Sequence, residues 1–162
     1  MSDRIPAVIK IGGIVPRELL PSLIKEIVKY GCNCDWGEGP PVETEEGISD
    51  CIVEGYLTLS HADAPGGSFE DLENFLGSHS IPYTRHSDAR YEYDAEVVEY
   101  RPETGVIVFP SDQSGNKYVH HERVAELLNL IPDWKLLEES LRDIVGPTIG
   151  PLLPFTISGE SS

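Results

Sequence analysis

Two short strings set imidazole, carboxylate and hydroxyl groups side by side: "SHAD", residues 60–63, and "RHSD", residues 85–88. His61 with Asp63, and His86 with Arg85, Ser87 and Asp88, are the residue types that carry out general acid–base chemistry or hold a metal. Neither string has the setting of a nucleophile elbow, and sequence neighbours act together only if the fold makes them converge. "CNCDWGEG" begins a different set. Cys32 and Cys34, with Cys51 and His61, have the ligand types of a Cys3His zinc centre. A Cys-x-Cys pair without a second matching pair is a weak signature, however, and cysteine is commonly a small buried group. No catalytic residue, metal or cofactor is therefore expected. A small metal-binding or hydrolytic enzyme built on His61, Asp63 and His86 stands as the alternative. "KIGGIVPREL" puts Gly12 and Gly13 between a strand and a helix but lacks the spacing of a phosphate-binding loop, so it reads as a tight turn.

The carboxylates carry a stronger signal. Twenty-eight acids against twelve lysines and arginines give a formal charge of −16. Between Lys29 and Arg85 there is no lysine or arginine, but there are eleven acids: Asp35, Glu38, Glu43, Glu45, Glu46, Asp50, Glu54, Asp63, Glu70, Asp71 and Glu73. Outside that interval seventeen acids nearly balance twelve bases. Further on, "RYEYDAEVVEY" alternates, so that Glu92, Asp94 and Glu96 would share one face of a strand, about 6.8 Å apart. Charges on an exposed strand discourage edge-to-edge aggregation; the alternative is that they join the 35–73 acids in one anionic surface. Like charges about 8 Å apart in water cost only about 0.5 kcal/mol, a repulsion that a cationic partner relieves on docking.

That surface is expected to bind a basic protein partner through Trp36, Glu43, Glu45, Glu46, Asp50, Glu70, Asp71, Glu92, Asp94 and Glu96. Trp36, flanked by glycine and acids, is the candidate aromatic anchor. The same charge disfavours direct binding to nucleic acid or to an anionic membrane, both polyanions. No apolar run approaches the roughly 18–20 residues that span a bilayer, and the N-terminus lacks the pattern of a signal peptide. Three cysteines suit a reducing compartment. The expected address is the cytoplasm.

The elements that must position these groups follow from periodicity. "IPAVIKI" reads as a buried strand, and Leu19, Leu20, Leu23, Ile24 and Ile27 as a helix face stopped by Gly31, with Pro21 uncomfortable near its start. Thr44 is placed to cap a short helix and Ser68 a second, whose stripe is Phe69, Leu72, Phe75 and Leu76. "YLTLSHADA", "IPYTRHSD", "YEYDAEVVEY" and "VIVFP" read as strands, "HERVAELLNLI" and "DWKLLEESLRDIV" as helices. The order predicts an α+β fold: a mainly antiparallel or mixed sheet with helices packed on one face, in a ferredoxin-like or split β-α-β arrangement, followed by two C-terminal helices and an extended tail. Residues 1–146 form one acidic domain and 147–162 a proline-rich tail. That tail either packs back on the domain or holds a second copy of the chain. The functional expectation is a non-enzymatic interaction module, with an inhibitor of a nucleic-acid-binding protein as its sharpest form and a self-assembling domain without chemistry as a further alternative.

Overall fold

The computed structural model describes residues 4–36, 39–89 and 94–159. Its six-stranded sheet is antiparallel throughout and contains β1 (Arg4–Ile11), β3 (Ile52–Val53), β4 (Tyr56–Pro65), β5 (Tyr83–Ser87), β6 (Glu96–Arg101) and β7 (Gly105–Pro110). The strand order is β3-β4-β1-β5-β6-β7. A second, two-stranded sheet pairs β2 (Ile14–Pro16) with β8 (Thr156–Ser158) in parallel. The helices are α1 (Leu20–Tyr30), α2 (Glu45–Asp50), α3 (Glu70–Ser78), α4 (His121–Leu130) and α5 (Trp134–Val145). The fold is thus α+β, as the element order predicts. β4 and β5 flank β1, each antiparallel to it. They run parallel to one another and are joined by α3, which is the split β-α-β form of the expectation. Among the described residues no helix is long and apolar enough to cross a membrane.

β1 sits at the centre because its alternation serves two faces. Ile5, Ala7, Ile9 and Ile11 are buried, while Pro6, Val8 and Lys10 on the opposite face are not. The buried face meets Leu20, Leu23 and Ile27 of α1, Ile48 of α2, and Leu72 and Leu76 of α3 in one apolar core. Pro21 lies in the first turn of α1, where its missing N–H leaves no bond unmade, and Gly31 ends the helix with φ +64. Thr44 caps α2 as predicted, its Oγ1 accepting from Gly47 N at 3.1 Å.

α3 is started differently from the expectation. Ser68 is not its cap; that hydroxyl donates to Pro65 O, and Glu73 Oε2 reaches back to accept from Phe69 N at 2.8 Å. Phe69 is fully buried, so its ring pins the first turn and leaves its amide to the nearest carboxylate. β6 also begins later than "YEYDAEVVEY" suggests. Its pairing starts at Glu96, and Tyr91, Glu92 and Tyr93 lie outside the described residues.

The C-terminal segment crosses the end of β1 and closes the second face of the sheet. Gly13 N donates to Leu153 O and Thr156 N to Gly13 O, both at 2.9 Å. Tyr56 Oη donates to Leu152 O at 2.9 Å, Phe155 N to Gly55 O at 2.8 Å, and Arg101 Nε to Gly150 O at 3.0 Å. Phe155 itself is buried in the core. The Gly12-Gly13 pair is therefore a seat for the tail. A Cβ on Gly12 would lie 2.1 Å from Leu153 O, and Gly13 adopts φ +74.

Gly12→Ala should force the tail off this seat or displace the end of β1. The expected loss is about 1–3 kcal/mol, the usual cost of overpacking a close contact, read by denaturant unfolding and by faster amide exchange at residues 153–156. Unchanged stability together with a fully protected tail would contradict the crossing.

Candidate functional site

Among the described residues the acid-rich interval folds as loop residues 31–36 and 39–43, α2, the β3–β4 hairpin at one edge of the sheet, and α3. Asn33 fixes the loop. Its backbone bridges to Ser60 of β4, with Ser60 N donating to Asn33 O at 2.8 Å. Its side-chain Nδ2 donates to Gly39 O and its Oδ1 accepts from Asp35 N, both at 2.9 Å. Val42 and Ile48 bury the far end of the loop and the inner face of α2. Between these anchors Trp36 is held at φ +50, an uncommon conformation for a bulky residue, with 45% of its surface exposed.

Three acids of the interval are matched by bases drawn from outside it. Glu45 pairs with Arg17 at 2.6 Å, Asp71 with Lys29, and Glu73 with Arg85 at 2.8 Å. The Asp71 carboxylate also holds the Lys29 ammonium above its ordinary pKa. Among the described residues Asp35, Glu43, Glu46, Asp50, Glu54 and Glu70 form no ion pair. Glu70 and Asp71 open α3 against the C-terminal end of α1, where Asp71 N donates to Tyr30 Oη at 2.7 Å, and loop 31–43 departs from that same end. Glu43, Glu46, Asp50 and Glu70 of the expected binding set are thus exposed and without an ion pair among the described residues, and Trp36 is exposed, whereas Glu45 and Asp71 are compensated.

The 92–96 ridge resolves differently. Glu92 lies outside the described residues, and Asp94 is exposed ahead of β6. Glu96 pairs across from Ser87 on the face beneath the helices and accepts from Arg85 Nη1 at 3.3 Å. Arg85 is buried, its side chain 7% exposed, and also donates Nε to Glu73 Oε1 and Nη1 to Gly67 O at 2.7 Å. Two carboxylates and a carbonyl offset the desolvation of this cation. Removing one partner from such a buried pair costs about 3–5 kcal/mol.

The imidazoles do not converge. Ala7 of β1 pairs with both His61 and Ser87, while Val8 pairs with Ser60 and His86. Because side chains alternate along a strand, His61 and His86 leave opposite faces of the sheet. His61 Nδ1 accepts from Asp63 N at 3.0 Å. His86 Nε2 lies 3.2 Å from Asp112 O, under a turn in which Asn116 and Ser114 bond the Asp112 carboxyl and hold it below the usual carboxylate range. The cysteines form no ligand set either. Cys32 is buried and donates to Ile27 O at 3.6 Å, Cys51 is buried, and Cys34 is exposed. Among the described residues no group of three His, Cys, Asp or Glu is placed to hold a metal.

A concave region away from the acidic end was not legible as a site in the sequence. The face of the sheet opposite α1–α3 is roofed by residues 143–152 and flanked by 117–123, enclosing a cavity of about 850 Å³. Four of the chain's twelve lysines and arginines line it: Lys10, Arg101, Lys117 and Arg123. The one hint was negative, since bases missing from the middle of the chain must gather elsewhere.

Thiol chemistry gives a direct check on the loop. Burial pushes the Cys32 thiol from its ordinary 9.0 up to about 12, and burial with the neighbouring Cys34 sulfur does the same for Cys51. Only Cys34 should react rapidly with a disulfide reagent at a pH of about 8, the other two following on unfolding. Folded pKa values above the unfolded 9.0 mean a contribution present in full below pH 9 and lost as pH rises toward 12. Tyr30 and Tyr83, both raised chiefly by burial, act in the same sense. Unfolding free energy should therefore fall above pH 9. Rapid labelling of all three native thiols, or stability that rises with alkali, would contradict this packing.

No protein-family model matches the chain, and neither a curated protein nor a solved structure does.

Proposed function

We propose that this protein is a non-enzymatic interaction module whose acidic end engages a basic segment of a protein partner, with Trp36 as the apolar anchor. The observation that supports the reading is a tryptophan half exposed at φ +50, in the same stretch of chain as carboxylates that have no ion pair within the described residues: Asp35, Glu43, Glu46, Asp50 and Glu54. The two parts do different work. Uncompensated charge steers encounter over about 8 Å at physiological salt. A large ring that is half exposed in the free protein gains most from being covered, and anchors of this kind dominate interface energies. Basic surfaces that bind nucleic acid are one class of partner such an end would fit, and occupying one would inhibit it. Three free thiols suit a reducing, cytoplasmic setting for that encounter.

The test uses a lysine- and arginine-rich peptide as probe, with Trp36 fluorescence followed in a Trp134→Phe background. Binding should saturate and weaken severalfold as salt rises from about 0.01 M to about 0.15 M, because the screening length falls from about 30 Å to about 8 Å. Trp36→Ala should cost about 2 kcal/mol of binding, and Glu43→Gln with Glu46→Gln should weaken it while leaving thermal unfolding unchanged. No saturation, or an affinity indifferent to salt, would remove the proposal.

A second reading, self-association, is favoured by the α4–α5 hairpin. α4 has no buried residue, and Leu130 and Trp134 are 75% and 73% exposed where the two helices meet. Apolar side chains gathered in one exposed patch commonly mark a contact surface. Because residues 153–158 pair with their own β2 and Gly12-Gly13, the hairpin rather than the tail supports this reading. Sizing over a range of concentrations should give a dimer that Leu130→Ser with Trp134→Ser converts to monomer. A native chain monomeric throughout would end it.

A further inference from the structure

We infer that the cavity between the second face of the sheet and the C-terminal segment is a binding site for a small amphipathic anion, an apolar or aromatic body carrying one phosphate or carboxylate group. Its volume of about 850 Å³ lies within the range of small-molecule sites, about 300–1,000 Å³. This site is separate from the acidic end and independent of the partner proposed for it.

The body of such a ligand would meet apolar walls. Ile107 and Phe109 of β7 form part of the floor, and Ile144 and Leu152 part of the roof. The roof is fixed at both ends. Gly146, where α5 stops at φ +85, lies against the Phe109 ring, so that a Cβ there would be 3.4 Å from Cε1. At the other end Tyr56 and Arg101 hold the carbonyls of Leu152 and Gly150.

The charge of the ligand follows from which lining groups are already engaged. Glu99 is neutralised by Lys117 at 2.6 Å and Arg101 at 3.7 Å. Arg101 further donates to the carbonyls of Tyr83 and Tyr100, both at 2.9 Å, and Lys117 lies 4.0 Å over the Phe109 ring. These two cations are committed to the architecture. Lys10 and Arg123 are not, since neither forms an ion pair among the described residues. Lys10 is the more telling. It stands on the central strand, between Thr58 and Thr84, and is nevertheless exposed, because the cavity opens above it. The lining as a whole carries four lysines and arginines against two carboxylates, Glu99 and Asp143, in a chain whose net charge is −16. A concave, low-dielectric wall concentrates that local excess on an entering anion.

The probe is 1-naphthyl phosphate, compared with 1-naphthoate, uncharged 1-naphthol and cationic 1-naphthylmethylammonium, followed by amide chemical shifts and calorimetry on the full chain. At least one of the two anions should saturate, shifting Lys10, Thr84, Phe109 and residues 146–152, and the tighter of the two shows which head group the site takes. Naphthol and the cation should bind at least about tenfold more weakly, the worth of one charge-assisted hydrogen bond. Lys10→Gln with Arg123→Gln should abolish the preference for the anion and leave naphthol binding unchanged. If that double variant does not fold, each single variant should still reduce the preference severalfold. Equal binding of anion and naphthol, saturation with shifts mapping elsewhere, or no saturation by either anion would overturn the inference.

Discussion

A side chain that is not there governs the second face of this fold. Where any other residue at position 12 would carry a Cβ, Gly12 leaves room for the carbonyl of Leu153, and Gly13 N donates to that oxygen. That crossing lets the C-terminal segment run beside the end of the central strand, bury Phe155 in the core and continue as β8 against β2. Tied there, the preceding stretch lies over the sheet, where Arg101 and Tyr56 receive two of its carbonyls. One face of β1 is filled by three helices in the ordinary way. The other keeps a cavity because its cover is a strap held at its ends rather than a helix packed along its length.

The same economy of contacts applies to charge. Bases are few, and most are used structurally. Arg17, Lys29 and Arg85 each come from outside the acid-rich interval to neutralise one of its carboxylates. Arg101 and Lys117 converge on Glu99. The exposed pairs contribute little to stability, about 0–1 kcal/mol each; the buried Arg85, clamped by Glu73 and Glu96, is the exception. Their larger effect is on what remains. Among the described residues, the loop after α1, α2 and the β3–β4 turn keep acids without an ion pair, while Lys10 and Arg123 are cations without one at the cavity. A chain of −16 thus keeps its unpaired acids and unpaired bases in different parts of the fold.

Much of this was legible locally. The strand at 5–11, the stop at Gly31 and the Thr44 cap depend on neighbours a few residues away, and all three are present, although only one face of the strand is buried. The misses share a cause in distance. An acid at every second position looks the same whether its face is wet or covered, and pairing with β5 turned Glu96 toward buried Arg85. Ser68 had the right chemistry for a cap, but Glu73, already drawn in by Arg85, was better placed. Gly12-Gly13 announced a turn and not its partner some 140 residues on. Whether His61 and His86 meet was not in the sequence; strand register sets them on opposite faces. Trp36, in a short Gly- and Pro-rich loop, is half exposed because little nearby covers it.

Opposed charge at two separate places is the central claim, and it can be measured without any ligand. Cationic and anionic nitroxides of matched size, used as soluble relaxation agents, report the electrostatic potential near each amide proton. Segregated charge predicts that amides of residues 33–54 relax faster with the cationic agent than with the anionic one, and that Lys10, Thr84 and Phe109 show the reverse. A ratio of the same sign and similar size across both regions would contradict it.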